Sequence, residues 1–338
     1  MNRQRRHATL LGAVLAFASV AVLLFGLGIG STGFESVLAM RHDPVALQIV
    51  WDIRLPRTLG AWLAGGLLGL AGAVAQGLFR NPLADPYLLG SASGASLGVA
   101  LALLAFGHVA PGSIAGMQWL MRLGMTGAAF AGAVIAVLVT LTLANGVQQS
   151  LRLLLAGVIV GVVLGAVKDL VVLGSADLLQ AITGFMLGST GLVGWSACAV
   201  MAATGALCLL CAWALAPVLD GLALGESTAA SLGLPLGAMR VALVAVLALA
   251  TGAAVAQTGL IAFVGLAAPH LVRSVVKTTH AGLIVLSAAM GGLLLMAADL
   301  LARWLIAPQE LPVGILTAVL GGSYLLWLMH RRNAQGVS

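Results

Sequence analysis

Residues 57–79 read RTLGAWLAGGLLGLAGAVAQGLF. After Arg57 no charged side chain interrupts the run, which is longer than the roughly 20 apolar residues that carry an α-helix across a bilayer. Gly65 and Gly69 stand four apart, the small-xxx-small spacing by which helices approach backbone to backbone in lipid, where no hydrophobic drive holds them together. The expectation is a membrane helix packed tightly against a neighbour.

The pattern recurs on both sides. Apolar runs over residues 9–30, 88–108, 124–144, 153–173, 196–216, 240–257, 259–273, 282–303 and 312–329 bring the expected spans to about ten. Gly90, Gly94 and Gly98, like Gly157, Gly161 and Gly165, repeat the glycine spacing. The 259–273 run is short for a crossing, so it is expected to be tilted, broken or buried against other helices. Of the 338 residues 61% are hydrophobic and 8% charged, with mean hydropathy +1.11, against about 25% charged in a soluble domain. Spans along the whole chain leave no room for a separate soluble domain. Residues 1–338 are therefore expected to form one all-α, polytopic domain in the lipid bilayer.

Basic residues serve as orientation signals. The pI near 10.0 reflects 16 Lys and Arg side chains scattered between apolar runs, without the basic stripe and interleaved aromatics that nucleic acid requires. MNRQRRH leads into the 9–30 run with no small-x-small cleavage site, which predicts a retained first helix. With the N-terminus in the cytoplasm, ten basic residues lie on that side, Arg80 and Arg240 among them, against Arg41, Arg54, Arg57, Arg122 and Arg303 outside. Both termini are then cytoplasmic.

Three connections carry structure of their own. Thr32 to Glu35 reads as a capping box, and Asp43-Pro44 as an N-cap followed by proline at the first helical position. Asn81-Pro82 and Asp85-Pro86 force extended backbone and a reversal, after which Asp85 restarts the helix. In the third, between Asp220 and Arg240, residues 225–233 (GESTAASLG) predict a helix of about two turns, with Glu226 in its first turn and Gly233 stopping it, before a short turn from Pro235. A partly apolar helix pair over about 220–238 suits a docking element, or else a linker. Residues 73–76 and 254–257 both read AVAQ, on spans expected to run in opposite directions, as an inverted repeat would place them.

Chemistry is sparse. The chain's two lysines, Lys168 and Lys277, do not follow a glycine as a phosphate-binding loop requires, and no H-E-x-x-H, G-x-S-x-G or paired carboxylates occur. No catalytic residue and no cofactor is expected, and an enzyme reading is poor. Cys198, Cys208 and Cys211 share one apolar run and read as small residues of a membrane helix, and His270 alone makes no metal site. Ion-coupled transport stays open as an alternative, because it needs ionisable groups at membrane depth and Lys168, Asp169 and Asp299 qualify. Residues 168 and 169 point about 100° apart on a helix, so they need not neutralise one another.

Six motifs in order carry a family resemblance: Arg54-Leu-Pro-Arg57, Asn81 to Pro86, Leu224-Gly-Glu226 through Leu232-Gly-Leu-Pro235, residues 259–265 (GLIAFVG), Pro269 to Arg273, and Glu310 to Gly314. Through them the chain resembles, nearly end to end, the FecCD-type permeases of bacterial ABC importers for siderophores, haem and cobalamin. The resemblance implies the type II ABC importer permease fold with inverted-repeat character, in the bacterial inner membrane. It implies a homodimer with the path on its two-fold axis, ATP-binding cassette ATPase subunits below and a periplasmic substrate-binding protein above. By the same resemblance Leu224, Gly225, Glu226, Ser227, Leu232, Gly233, Leu234 and Pro235 form the coupling element for the ATPase, and Gln149, Ser150 and Leu151 the cytoplasmic gate. Arg54, Arg57 and Arg303 would dock the binding protein, or else anchor the chain at the interface. The implied cargo is a ferric siderophore or haem, with cobalamin as the alternative. The sequence departs from the family pattern at Ser323-Tyr324, where a proline is expected, and at Thr279-His280, where Asp-His is common.

Overall fold

Lipid offers no partner for a backbone N–H or C=O, so apolar chain in a bilayer coils into helices that satisfy themselves. The computed structural model describes residues 2–30, 33–34, 43–106, 115–144, 150–231 and 236–335. Its helices are α1 (Asn2–Gly28), α2 (Pro44–Ile49), α3 (Leu55–Leu78), α4 (Ser91–Phe106), α5 (Ala115–Leu143), α6 (Ser150–Leu173), α7 (Ala176–Leu187), α8 (Trp195–Ala223), α9 (Glu226–Ser231), α10 (Leu236–Thr258), α11 (Val264–Val275), α12 (His280–Trp304) and α13 (Val313–Gln335). A π-helical turn, Val50–Arg54, joins α2 to α3, and a 3-10 turn, Pro86–Leu89, precedes α4. One two-residue bridge pairs Ile29–Gly30 with Gly33–Phe34.

The fold is wound around α3. Every residue from Leu67 to Phe79 is buried, because α8, α10, α11 and α12 surround the helix. Its glycines set the distance to α12: a Cβ on Gly65 would lie 2.2 Å from the Gly291 carbonyl oxygen, and one on Gly69 2.1 Å from that of Ser287. The same device seats α4 on α5, where a Cβ on Gly98 would meet the Ala128 carbonyl at 2.1 Å. The third predicted stripe holds only at its start, since Gly157 abuts the Leu88 carbonyl whereas nothing lies within 4 Å of a Cβ built on Gly165.

Among the described residues, seven helical stretches are long and apolar enough to cross a membrane, and Ser91–Ala105, Ala176–Leu187 and Val313–Trp327 are shorter apolar helices. The run expected over 259–273 is broken, as its length required. After α10 the backbone leaves the helix at Gly259 (φ +69°) and re-enters at Val264. Its polar groups find partners in a second irregular stretch at the end of α7: Ser189 N donates to the Thr258 carbonyl at 2.8 Å and Leu260 N to that of Phe185 at 3.2 Å, while Gly314 N, at the start of α13, donates to that of Gly188 at 3.3 Å. Buried non-helical backbone is tolerated where protein satisfies it. Helix α7 is absent from the expected spans, because 12 residues fall short of a crossing.

Two predicted caps form. Asp43 Oδ1 accepts from Val45 N at 2.9 Å, and Asp85 Oδ1 from Tyr87 N at 2.8 Å. The capping box at Thr32 and Glu35 lies outside the described residues. Both AVAQ copies occupy the last turn of a buried helix, α3 and α10, each followed by irregular chain and a short helical element. Arg80, after the end of α3, and Arg240, near the start of α10, share Glu226, so the two helices run antiparallel.

Candidate functional site

Polar groups gather at the two ends of α3 and are scarce between. With 24 residues the helix is about 36 Å long at 1.5 Å per residue, enough for a hydrocarbon core of about 30 Å.

At the first end, Asp299 on α12 is fully buried. Its Oδ1 accepts from Arg57 Nε at 3.3 Å and Nη2 at 3.2 Å and from the Thr190 hydroxyl, and its Oδ2 from Arg303 Nη2, one helical turn on. Arg303 also donates to Thr58 Oγ1 at 3.3 Å. The outer face of the cluster is Glu310, which takes Arg57 Nη1 at 2.8 Å while staying 33% exposed. Arg54, 9% exposed, donates to the Leu27 carbonyl at 3.1 Å. The three arginines expected to face outward thus lie near one another but largely inside the protein, Arg303 at 2%. A buried carboxylate is tolerated only when its lone pairs are filled by such donors.

The second end is more open. Gly225, at φ +114°, follows the end of α8, and α9 forms over Glu226–Ser231, within the stretch where the short helix was expected. The Glu226 carboxylate turns back onto the bundle: Oε1 accepts from Arg240 Nη2 at 2.7 Å and lies 3.9 Å from Arg80 Nη2. Leu224 is 70% exposed. Leu232, Gly233, Leu234 and Pro235 lie outside the described residues, as does the side chain of Ser227. Beside this cluster Asp220 Oδ1 accepts from His280 N at 3.0 Å and faces its Nδ1 at 2.7 Å, and Arg273 Nη1 donates to Gln76 Oε1. Gln76 in turn donates to the Leu266 carbonyl at 3.2 Å.

Between the ends, Lys168 and Asp169 are not independent. Lys168 Nζ lies 2.9 Å from Asp169 Oδ1 and 3.3 Å from Met186 Sδ, with Lys168 8% exposed and the Asp169 side chain 72%. The long lysine stem closes the angle that backbone geometry opens. Of the expected gate, Gln149 lies outside the described residues, Ser150 begins α6, and Leu151 is 71% exposed. No group of three metal-ligating side chains occurs among the described residues.

Sequence reasoning missed Thr190, Glu310, Arg80, Arg240 and the Asp220–His280 pair as parts of these clusters. Glu310 stood in a quoted motif, and Arg240 is a charge at the edge of an apolar run, which in lipid demands a partner.

Comparisons with known proteins bear on the chain as a whole. The FecCD transport family matches residues 10–331. A vitamin B12 import system permease protein, BtuC, of Salmonella paratyphi A is 40% identical over 281 residues, 83% of each chain. Among solved structures, a chain from an ABC transporter assigned to the metal-chelate type, in an inward-facing conformation, superposes with TM-score 0.84 at 28% identity, covering 96% of this chain and 99% of that one. PsaBC from Streptococcus pneumoniae, in complex with Fab, shares the fold at TM-score 0.57 and 18% identity, over 86% and 92% of the two chains.

Proposed function

This chain belongs to the FecCD transport family, and we propose from that premise that it imports a corrinoid of the vitamin B12 kind. It is a multi-pass membrane permease of an ABC importer. The observation that carries the cargo is the 40% identity to a vitamin B12 permease across 83% of both chains. A ferric siderophore or haem is the second reading, favoured by the 28% identity to a metal-chelate transporter.

In this reading ATP is hydrolysed by separate cassette subunits, cargo arrives on a periplasmic binding protein, and two copies of the chain enclose the path. Both termini and α9 face the cytoplasm. There α9 and residues 232–235 meet the ATPase, and Glu226, tied to Arg80 and Arg240, passes the push to α3 and α10. Residues 149–151 gate the cytoplasmic mouth. At the outer end Arg57 meets a carboxylate of the binding protein in exchange for Glu310, while Arg54 and Arg303 hold it in place. Against an ion-coupled cycle stands Asp299, a fully buried carboxylate that is already held by two arginines.

Reconstitution in liposomes with partner ATPase and binding protein tests the reading. Uptake of labelled cyanocobalamin should require ATP and all components, and Arg57→Lys, which keeps a cation beside Asp299 but loses the fork shared with Glu310, should weaken docking. Uptake of haem or a ferric siderophore instead moves the cargo to the second reading. Uptake by the chain alone under a proton or sodium gradient refutes the importer cycle.

A further inference from the structure

Between α11 and α12, at the end of the bundle that carries α9, the chain turns through residues 276–279 and walls a cavity of about 240 Å³. Its floor is apolar: Val276 and Leu283 are 5% and 3% exposed. Arg273, Lys277, Thr278 and His280 complete the wall.

The charge balance there is positive. Arg273 gives one Nη–H to the neutral amide of Gln76, which leaves further donors of its five-donor fork. Lys277 is exposed and has no ion pair among the described residues. The carboxylate nearby, Asp220, is committed to His280 through both the backbone N–H and Nδ1, so it does not neutralise either cation directly. Helix α12 starts at the cavity, and its N-cap, Thr279, makes no side-chain capping bond. The positive end of a 25-residue helix therefore adds to the two cations. A Cβ on Gly282 would lie 2.4 Å from Thr278 Oγ1, so the hydroxyl packs over the first turn of α12.

We propose that this cavity binds a phosphate group, with Lys277 and Arg273 as its cationic contacts. A site at the end of membrane-spanning helices, with exposed Val275 on its rim, meets lipid headgroups first, and basic pockets between such helices recognise anionic ones. A soluble phosphate compound offers the same chemistry. The assignment stands apart from the cargo reading and holds for any function of the chain.

The test uses the purified full chain in an uncharged detergent, with thermal unfolding followed as dioleoylphosphatidylglycerol, dioleoylphosphatidylcholine or inorganic phosphate is titrated. Phosphatidylglycerol should raise Tm. Lys277→Gln should start from the wild-type Tm, since the side chain is exposed, and bind that lipid about fivefold more weakly, as expected for one lost surface cation. Lys277→Glu should abolish the shift, and Arg152→Gln, an exposed cation on α6, should keep it. A Lys277-dependent shift with inorganic phosphate alone also supports the site and names a soluble ligand. Equal shifts in wild type and both Lys277 variants, or equal shifts with the two lipids, overturn the proposal.

Discussion

At one end of α3 the Asp299 carboxylate is fully buried between two arginines and a threonine hydroxyl. At the other, the Glu226 side chain is 41% exposed and reaches its arginines at 2.7 and 3.9 Å. Both clusters set one carboxylate against two guanidinium groups, but the carboxylates differ in solvent. Desolvated charges have no substitute partner, so the Asp299 cluster is a fixed clamp on α3 and α12. Glu226 and Arg80 are both in contact with water, so their 3.9 Å contact can be remade as α9 moves, while the bond to Arg240, 4% exposed, is the anchored one. A transporter that must change shape at one end and keep its bundle intact needs both kinds.

The sharpest way to break this contrast is to empty the clamp. Asp299→Ala leaves Arg57 and Arg303 buried without their shared anion, and should cost about 3–5 kcal/mol in unfolding free energy, read from denaturation in detergent. Asp299→Leu with Arg303→Met should regain most of that loss, because Arg57 retains Glu310. At the open end, Glu226→Gln keeps an acceptor oxygen for the buried Arg240 and should cost far less, about 1 kcal/mol. It should nevertheless lower uptake per ATP hydrolysed several-fold in the assembled transporter, and the exchange Glu226→Arg with Arg240→Glu should restore part of it. A stability loss equal to that of Asp299→Ala would erase the distinction.

Glu310 lies between these cases. Glu310→Gln should cost about 0–1 kcal/mol and tighten binding-protein docking, measured by surface plasmon resonance, since Arg57 loses its internal competitor.

The smallest effect concerns the connection after α3. Burial raises the Asp85 carboxyl from its ordinary value of 3.8, against the pull of the Tyr87 N–H. A raised value makes the charged form the costly one. Stability from this group is therefore greatest below pH 3.8 and declines as the pH rises through the folded value. Asp85→Asn keeps a capping oxygen and should flatten that part of the Tm against pH curve.

Membrane embedding, the helical class and the order of the long spans were legible in residues such as 57–79, because in lipid the backbone has one inexpensive solution and glycine spacing reports where helices touch. The caps at Asp43 and Asp85 were legible for the same local reason. Helix α7 was not, since a stretch of twelve residues gives too little apolar length to stand out.

The sequence by itself therefore determined the kind of molecule, through composition and motifs that act over a few neighbouring residues. Only the tertiary structure decided which charges meet. Asp299 finds Arg57 across 242 positions and Thr190 across 109, and His280 finds Asp220 across 60. Pairings of that range are set by how buried helices pack, and no local pattern encodes them. For the same reason Arg57 and Arg303 are largely buried against Asp299, whose carboxylate would be costly without them, while Arg54 is held by the Leu27 carbonyl.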